Sequence, residues 1–378
     1  MDEISDLDHE NLIKRIAAIT RGRQKLLLFL WADGGNLRDF WKELPEPQLT
    51  PTLVKDIIYQ LRGMAEALDK LHHFKHQYHY RHGDIKPENI LHFPDSTKRS
   101  PIGIFKISDL GSAKHHSVAT KFRERTGGKA FATMEYQPPE AKTNELSKES
   151  GPTSRLYDIW SMGCVTLEFM LWLLYGYKEL EQFKEEIKDI NFGASFFILK
   201  TVDVVEETGV ISTLVAGIHP AVEAYINRLS EDPECRGNTA LGDLLDIVKT
   251  KLLVIDLAQK TPSMNELPNN ISIISPDGNS KSSQRFGNFR TSAKGFVNAL
   301  DDILESKYAK SESYWFTGQS RDNITIPRIK SSIISGEKPR GKSSFLSPSS
   351  ALDISERGMA ARLLVQNQDV GVPYSHYI

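Results

Sequence analysis

Four polar side chains carry the chemistry in this sequence: Asp84, Lys86 and Asn89 in the stretch HGDIKPEN (82–89), and Asp109 in SDLG (108–111). Moving a phosphoryl group off a nucleotide requires an acceptor hydroxyl held in line and phosphate charge neutralised by cations. A carboxylate must orient that hydroxyl and take its proton, and a lysine can meet the transferring phosphate. A hard cation such as Mg²⁺ wants one or two oxygen-bearing side chains beside phosphates and water. Asp84, Lys86, Asn89 and Asp109 supply those groups in that order: base, phosphate contact, amide ligand and carboxylate ligand. Each also has a plainer reading. Asp and Asn turn chains routinely, Asp-Leu-Gly is a common turn, and Lys86 serves equally as a solvated charge. His82 reads as a packing and hydrogen-bonding residue with no acid–base role. The run His72, His73, His76, His79 and His82 has no cysteine and passes from a helix end into a loop, which argues against a zinc site.

The surrounding pattern says what must position these residues. Residues 13–21 and 25–31 are short apolar runs broken by Gly22 and Arg23, expected as two buried strands, and Gly34-Gly35 marks a chain reversal. Leu53, Val54, Ile57, Ile58, Leu61, Met64, Ala65, Leu68 and Leu71 recur at helical spacing and predict an amphipathic helix over 53–72. GIFKISDLGSAK (103–114) alternates like a strand and runs into a turn at Asp109. Residues 115–140 have no period and end at Pro138-Pro139. From 154 the pattern is helical almost to 305, with an insertion-like polar loop at 261–290 and a closing helix at 291–304. The run 162–177 is interrupted by Glu168 and falls short of the roughly 20 residues of a membrane span, so it predicts a buried core helix. Eight serines fall in residues 331–350, which cannot bury enough apolar area to offset ordering entropy.

Composition narrows the class. A formal net charge of −2 gives no field for nucleic acid or an anionic membrane, so neither is expected as a partner. Two cysteines, Cys164 and Cys235, rule out a disulfide framework and suit a reducing compartment. The acidic start MDEISDLDHE is neither a secretory signal nor an arginine-rich transit peptide, so an intracellular protein, cytoplasmic or nuclear, is expected.

His82-Gly83-Asp84-Ile85-Lys86-Pro87-Glu88-Asn89 resembles the catalytic loop of eukaryotic protein kinases, with Gly83 in place of arginine. Asp109-Leu110-Gly111 resembles their metal-binding turn, Pro138-Pro139-Glu140 the end of their activation segment, and Asp158-Ile159-Trp160-Ser161-Met162-Gly163 the start of their central helix. The resemblance covers residues 9–305 and implies an α+β, protein-kinase-like fold: a mostly helical C-lobe with a remnant of the β-rich N-lobe. It implies a division into 1–35 (partial N-lobe and hinge), 36–305 (C-lobe, with 261–290 inserted) and a mostly disordered tail, 306–378. His-Gly-Asp also occurs in small-molecule kinases resembling aminoglycoside and choline kinases. Those typically lack the lysine, the Pro-Glu segment end and the Asp-x-Trp-Ser-x-Gly helix, all present here.

By resemblance Asp84 and Lys86 are catalytic, Asn89 and Asp109 hold Mg²⁺, and ATP lies against Phe29, Trp31, Ala32 and Leu91. Thr133 contacts the catalytic aspartate and lysine and, with Lys86, favours serine/threonine acceptors on a protein substrate. Asp158 braces the catalytic loop and Arg290 pairs with Glu140. Gly83 removes an arginine that senses activation-segment phosphate, a role for which Arg81 is the nearby alternative. No G-x-G-x-x-G precedes residue 34, and no strand lysine in family context is found there. The chain is therefore expected to be either an N-terminally truncated kinase or a pseudokinase scaffold, with a regulatory partner supplying or covering the absent part of the N-lobe.

Overall fold

The computed structural model describes residues 7–21, 24–74, 80–95, 100, 102–110, 135–141, 155–189, 193–206, 209–255, 289–321 and 343–345. Strands β1 (Arg15–Arg21) and β2 (Gln24–Phe29) form an antiparallel ribbon in which Ala17 faces Leu28 and Ile19 faces Leu26. The strands are where the sequence puts them, but they are not buried. Ile16, Ile19, Leu26 and Leu28 are 47–55% exposed, because among the described residues no layer covers the ribbon's apolar side chains. The ribbon is tied to the body through its lead-in: the Ile13 N–H donates to the Ile107 carbonyl (2.8 Å) and the Ile107 N–H to that of Asn11 (2.9 Å).

Helix α1 (Leu37–Glu43) starts at an Asn36–Asp39 capping box and buries Leu37, Phe40 and Trp41. Helix α2 (Pro51–His72) is capped by the Thr50 hydroxyl with proline in its first turn, and every apolar position of the 53–72 stripe is buried. Strands β3 (Ile90–Phe93) and β4 (Ile104–Ile107) pair antiparallel, Ile90 opposite Ile107. Helix α3 (Leu156–Tyr175) is buried on all sides from Tyr157 to Leu174, as an all-round apolar sequence requires. Its Phe169 and Trp172 pack with Phe40, Trp41 and Phe105 in edge-on and tilted contacts with centroid separations of 5.2–6.0 Å. Helix α4 (Tyr177–Glu186) follows.

A second correction concerns the helical pattern read from 154 to 305. Residues 197–218 form a long antiparallel hairpin, β5 (Phe197–Glu206) and β6 (Gly209–Ile218). Helical elements then resume with α5 (Pro220–Glu231), α6 (Ala240–Ile247) and α7 (Ala293–Leu304), the closing helix, whose Asp301 bonds Arg62 of α2 at 2.6 Å. The expected loop insertion at 261–290 lies outside the described residues except for Phe289 and Arg290.

The tail boundary at 306 is also corrected, for residues 306–321. Helix α8 (Glu312–Trp315) buries Tyr314 and Trp315, and the Tyr314 hydroxyl donates to Asp243 at 2.7 Å. Beyond it the Thr317 N–H and hydroxyl bond Glu234, and Arg321 meets Asp232 at 3.1 Å. Two buried aromatic rings and these paired charges anchor this segment to the body. A short strand β7 (Ser343–Phe345) pairs with β5.

Candidate active site

The loop from Tyr80 to Asn89 leaves α2 and enters β3, and its shape is set by one buried carboxylate. Asp158, in the first turn of α3, is fully buried and accepts three hydrogen bonds at 2.8 Å. His82 N–H and His72 Nε2 bond its Oδ2, and Gly83 N–H bonds its Oδ1. Burial alone would raise the Asp158 pKa; the His72 contact, helped by the Gly83 N–H, outweighs that and holds it below the ordinary aspartate value. Gly83 itself sits at φ +77°, a left-handed conformation that glycine adopts without steric cost. A Cβ built there would lie 3.2 Å from Nε of Arg81, whose guanidinium stacks over the Tyr157 ring at 4.4 Å. The glycine that departs from the kinase pattern thus leaves room for Arg81 to fold back over position 83.

The His82 ring is fully buried, and its Nε2 lies 2.7 Å from the Ser108 carbonyl. A carbonyl can only accept, so Nε2 carries the proton and Nδ1 accepts from the Asp84 N–H at 3.3 Å. This is the packing role expected of His82.

Three of the four chemistry-bearing side chains meet directly. Lys86 Nζ is 3.0 Å from Asp84 Oδ2, and the Asn89 amide nitrogen donates to the same oxygen at 2.9 Å and to the Asp84 carbonyl at 2.8 Å. The fourth arrives through the β3–β4 pairing. Ser108, just before Asp109, donates from its N–H (2.8 Å) and its hydroxyl (2.9 Å) to the Asn89 carbonyl. Among the described residues Asp109 is the one non-glycine residue in the left-handed region, at φ +55°.

The positions expected to face a nucleotide are more dispersed. Trp31 and Ala32 line an open cavity of about 470 Å³ with Asp33, Gly35, Asp39, Lys42 and Glu43. Leu91 is half-buried on β3. Phe29, expected at the back of the pocket, is instead 42% exposed at the end of the uncovered ribbon. Thr133 lies outside the described residues. The expected pair of Arg290 and Glu140 is present, buried and double-stranded, at 2.5 and 3.2 Å.

Sequence reasoning missed a group beside the loop. Arg38 of α1 reaches Glu88 (3.2 Å), the Tyr136 hydroxyl (2.6 Å) and Glu168 of α3 (3.7 Å). Glu168 is fully buried and raised to about 7, chiefly by desolvation. Its interruption of the apolar run 162–177 was the available signal, since a lone carboxylate there demands a partner or a proton. His72 was also missed as a partner of Asp158, being read only as part of a histidine run.

No helix among the described residues is long and apolar enough to cross a membrane. The model of the protein kinase domain matches residues 1–214, more than half of the 378-residue chain. A protein of Mycoplasma genitalium assigned as a serine/threonine-protein kinase is 32% identical over 127 residues, covering 31% of this chain and 30% of its own. Cyclin-dependent kinase-like 1 of Caenorhabditis elegans is 30% identical over 167 residues, covering 44% and 40%. Myosin light chain kinase 3 of Rattus norvegicus is 29% identical over 163 residues, covering 43% and 18%. The matches thus span well under half the length of these relatives. Together with the braced loop and the ordered motifs, the domain match establishes that the chain belongs to the protein kinase family.

Proposed function

We propose that the chain is a serine/threonine protein kinase that transfers the γ-phosphate of ATP to protein hydroxyls with Mg²⁺. The observation that carries this reading is the Asp84 carboxylate. Lys86 and Asn89 both bind its Oδ2. That fixes the carboxylate and leaves Oδ1 to orient an acceptor hydroxyl and take its proton. Lys86, half-buried beside it, would then meet the phosphate as it transfers.

The residues also suit a divalent cation. Asn89 spends its amide nitrogen on Asp84, so its oxygen is the atom it can offer a metal. Asp109 supplies a carboxylate from a strained backbone, a conformation that is kept where the surroundings or a function over-determine it. An amide and a carboxylate are a protein ligand set that Mg²⁺ accepts when phosphates and water complete its shell. When bound, Mg²⁺ would neutralise the charge on the transferring phosphate. In this reading Trp31 and Ala32 form the hinge that holds adenine, with Phe29 and Leu91 as its neighbours, and Thr133 faces the acceptor. Residues 1–35 would form the N-lobe part and the body from 36 onward the C-lobe.

A thermal melt with Mg-ATP tests the site. Stabilisation of several degrees at millimolar nucleotide, lost in Asp109→Asn, is expected. No shift in the unmodified chain would count against nucleotide binding altogether. Phosphate transfer to a serine/threonine peptide library, abolished in Asp84→Asn, tests the reaction itself.

One observation favours a second, non-catalytic reading. Leu26, Leu28, Leu30 and Trp31 are 47–78% exposed next to the hinge, an apolar surface that a regulatory partner could cover. Partner capture unchanged in Asp84→Asn and Asp109→Asn, with no phosphate transfer, would favour that scaffold.

A further inference from the structure

A group of ionisable side chains outside the four site residues joins α1, the catalytic loop, residues 135–141 and α3. Arg38 stands at its centre with a side chain 14% exposed. Its Nε meets Glu88 at 3.2 Å, in the turn just after Lys86, and its Nη2 meets the Tyr136 hydroxyl at 2.6 Å. Glu135 is held by Lys184 of α4 at 3.2 Å. Three carboxylates (Glu88, Glu135, Glu168) therefore face two cations (Arg38, Lys184), and the fully buried Glu168 is the odd one. Burial works against the Arg38 cation, yet Glu168, Tyr136 and Glu88 raise its pKa above the ordinary arginine value.

Tyr136 does not need Arg38 to stay in place. Its carbonyl accepts from Ser161 of α3 at 2.8 Å, and its hydroxyl donates to Glu168 at 3.0 Å. What Arg38 adds is the connection to Glu88. A guanidinium can bind both because its donors are fixed in a planar fork, whereas an ammonium is a single point.

We infer that Arg38 is a positioning residue: one guanidinium that locks the turn after Lys86, through Glu88, to the segment 135–141, through Tyr136. The loop carrying Asp84 and the stretch following Thr133 then move as one body, which fixes where an acceptor lies against Asp84. This role rests on the phosphoryl-transfer reading of the site.

The test uses the full chain with Arg38→Met, which keeps most of the stem, and Arg38→Lys, which keeps the charge. Against a serine/threonine peptide library with Mg-ATP, the KM for acceptor rises about tenfold or more in both variants, as loss of charge-assisted hydrogen bonds implies. The KM for ATP stays within about twofold. Hydrogen exchange of residues 86–90 and 135–141 quickens together in both variants. An unchanged acceptor KM, an exchange change confined to α1, or full rescue by Arg38→Lys overturns the inference. If the unmodified chain transfers no phosphate, the kinase reading fails; the exchange experiment still decides whether Arg38 couples the two segments.

Discussion

Asp158→Asn is the sharpest test of how the catalytic loop is held. The carboxylate is fully buried and takes three donors at 2.8 Å: two consecutive backbone N–H groups and the His72 ring. Asparagine has nearly the same shape, but one of its two positions becomes an NH₂ that faces a donor. At least one hydrogen bond to a charged acceptor is therefore lost, at about 1.5–3 kcal/mol, and a buried donor is left unpaired at about 1–3 kcal/mol more. The expected loss is about 3–5 kcal/mol, which equals the usual cost of breaking a buried charged partnership. That is a large share of the roughly 5–15 kcal/mol available to a folded domain. Urea unfolding followed by tryptophan fluorescence measures it. The pH dependence gives an independent check. The Asp158 pKa is lowered from its ordinary 3.8, so its contribution is fully present above that value. It is lost as pH falls through the still lower folded value. The gap between unmodified and variant stability should accordingly be constant from about pH 5 upward and shrink in stronger acid. A loss under about 1 kcal/mol at neutral pH, or a gap that widens on acidification, would refute the bracing role.

Other perturbations probe neighbouring contacts. Gly83→Ala places a Cβ at φ +77° and 3.2 Å from Arg81, so a loss of about 1–2 kcal/mol is expected in the same unfolding assay, and a neutral result would sink the steric account. Arg290→Met removes the two-point charged contact to the buried Glu140 and should cost about 3–5 kcal/mol, while the double variant Arg290→Met/Glu140→Met should recover much of it. If the double variant is no better than the single, the ion pair is not what holds the segment end. For Glu168, raised to about 7, the folded state keeps a proton that the unfolded state has lost. Its contribution is greatest below the ordinary 4.5 and is lost as pH rises through about 7, so Glu168→Gln should flatten that part of the stability–pH curve. An unaltered slope between pH 5 and 7 would show that Glu168 is ionised throughout.

Much of the fold was legible because local pattern and tertiary role coincide. The 53–72 stripe predicts both a helix and its buried face, and an all-round apolar run predicts that α3 lies at the centre. The meeting of the candidate site's side chains was legible for a different reason, since Asp84, Lys86 and Asn89 lie close enough in sequence that one loop brings them together. The hairpin was missed although its signal was present. Residues 202–206 read VDVVE and residues 209–215 read GVISTLV, β-branched runs separated by two residues in sequence, but flanking helical patterns masked the switch of period. The ribbon failed in the opposite way. Its strands were found from apolar content, yet apolar content says only that a covering layer would be favourable, not that one is there.

The Arg38 cluster marks the limit of what a linear reading can supply. Glu168 interrupts a helix that is otherwise apolar, and an unpaired carboxylate in such a place is too costly to leave alone. That much could be deduced from the sequence, and it predicts a cation or a proton at that position. It does not predict which, because Lys184 and Arg38 lie on opposite sides of Glu168 in the chain, and no spacing rule ranks them. The structure gives Glu168 some of each, with Arg38 3.7 Å away and the Tyr136 hydroxyl at 3.0 Å. The 3.7 Å separation is long for a full salt bridge, whereas the same guanidinium sits at hydrogen-bonding distance from Glu88 and Tyr136. Arg38 is thus committed first to Glu88 and Tyr136 and only second to the central helix. An arginine that served only to neutralise Glu168 would show the reverse order, and the observed order is the one the proposed coupling of loop and segment requires.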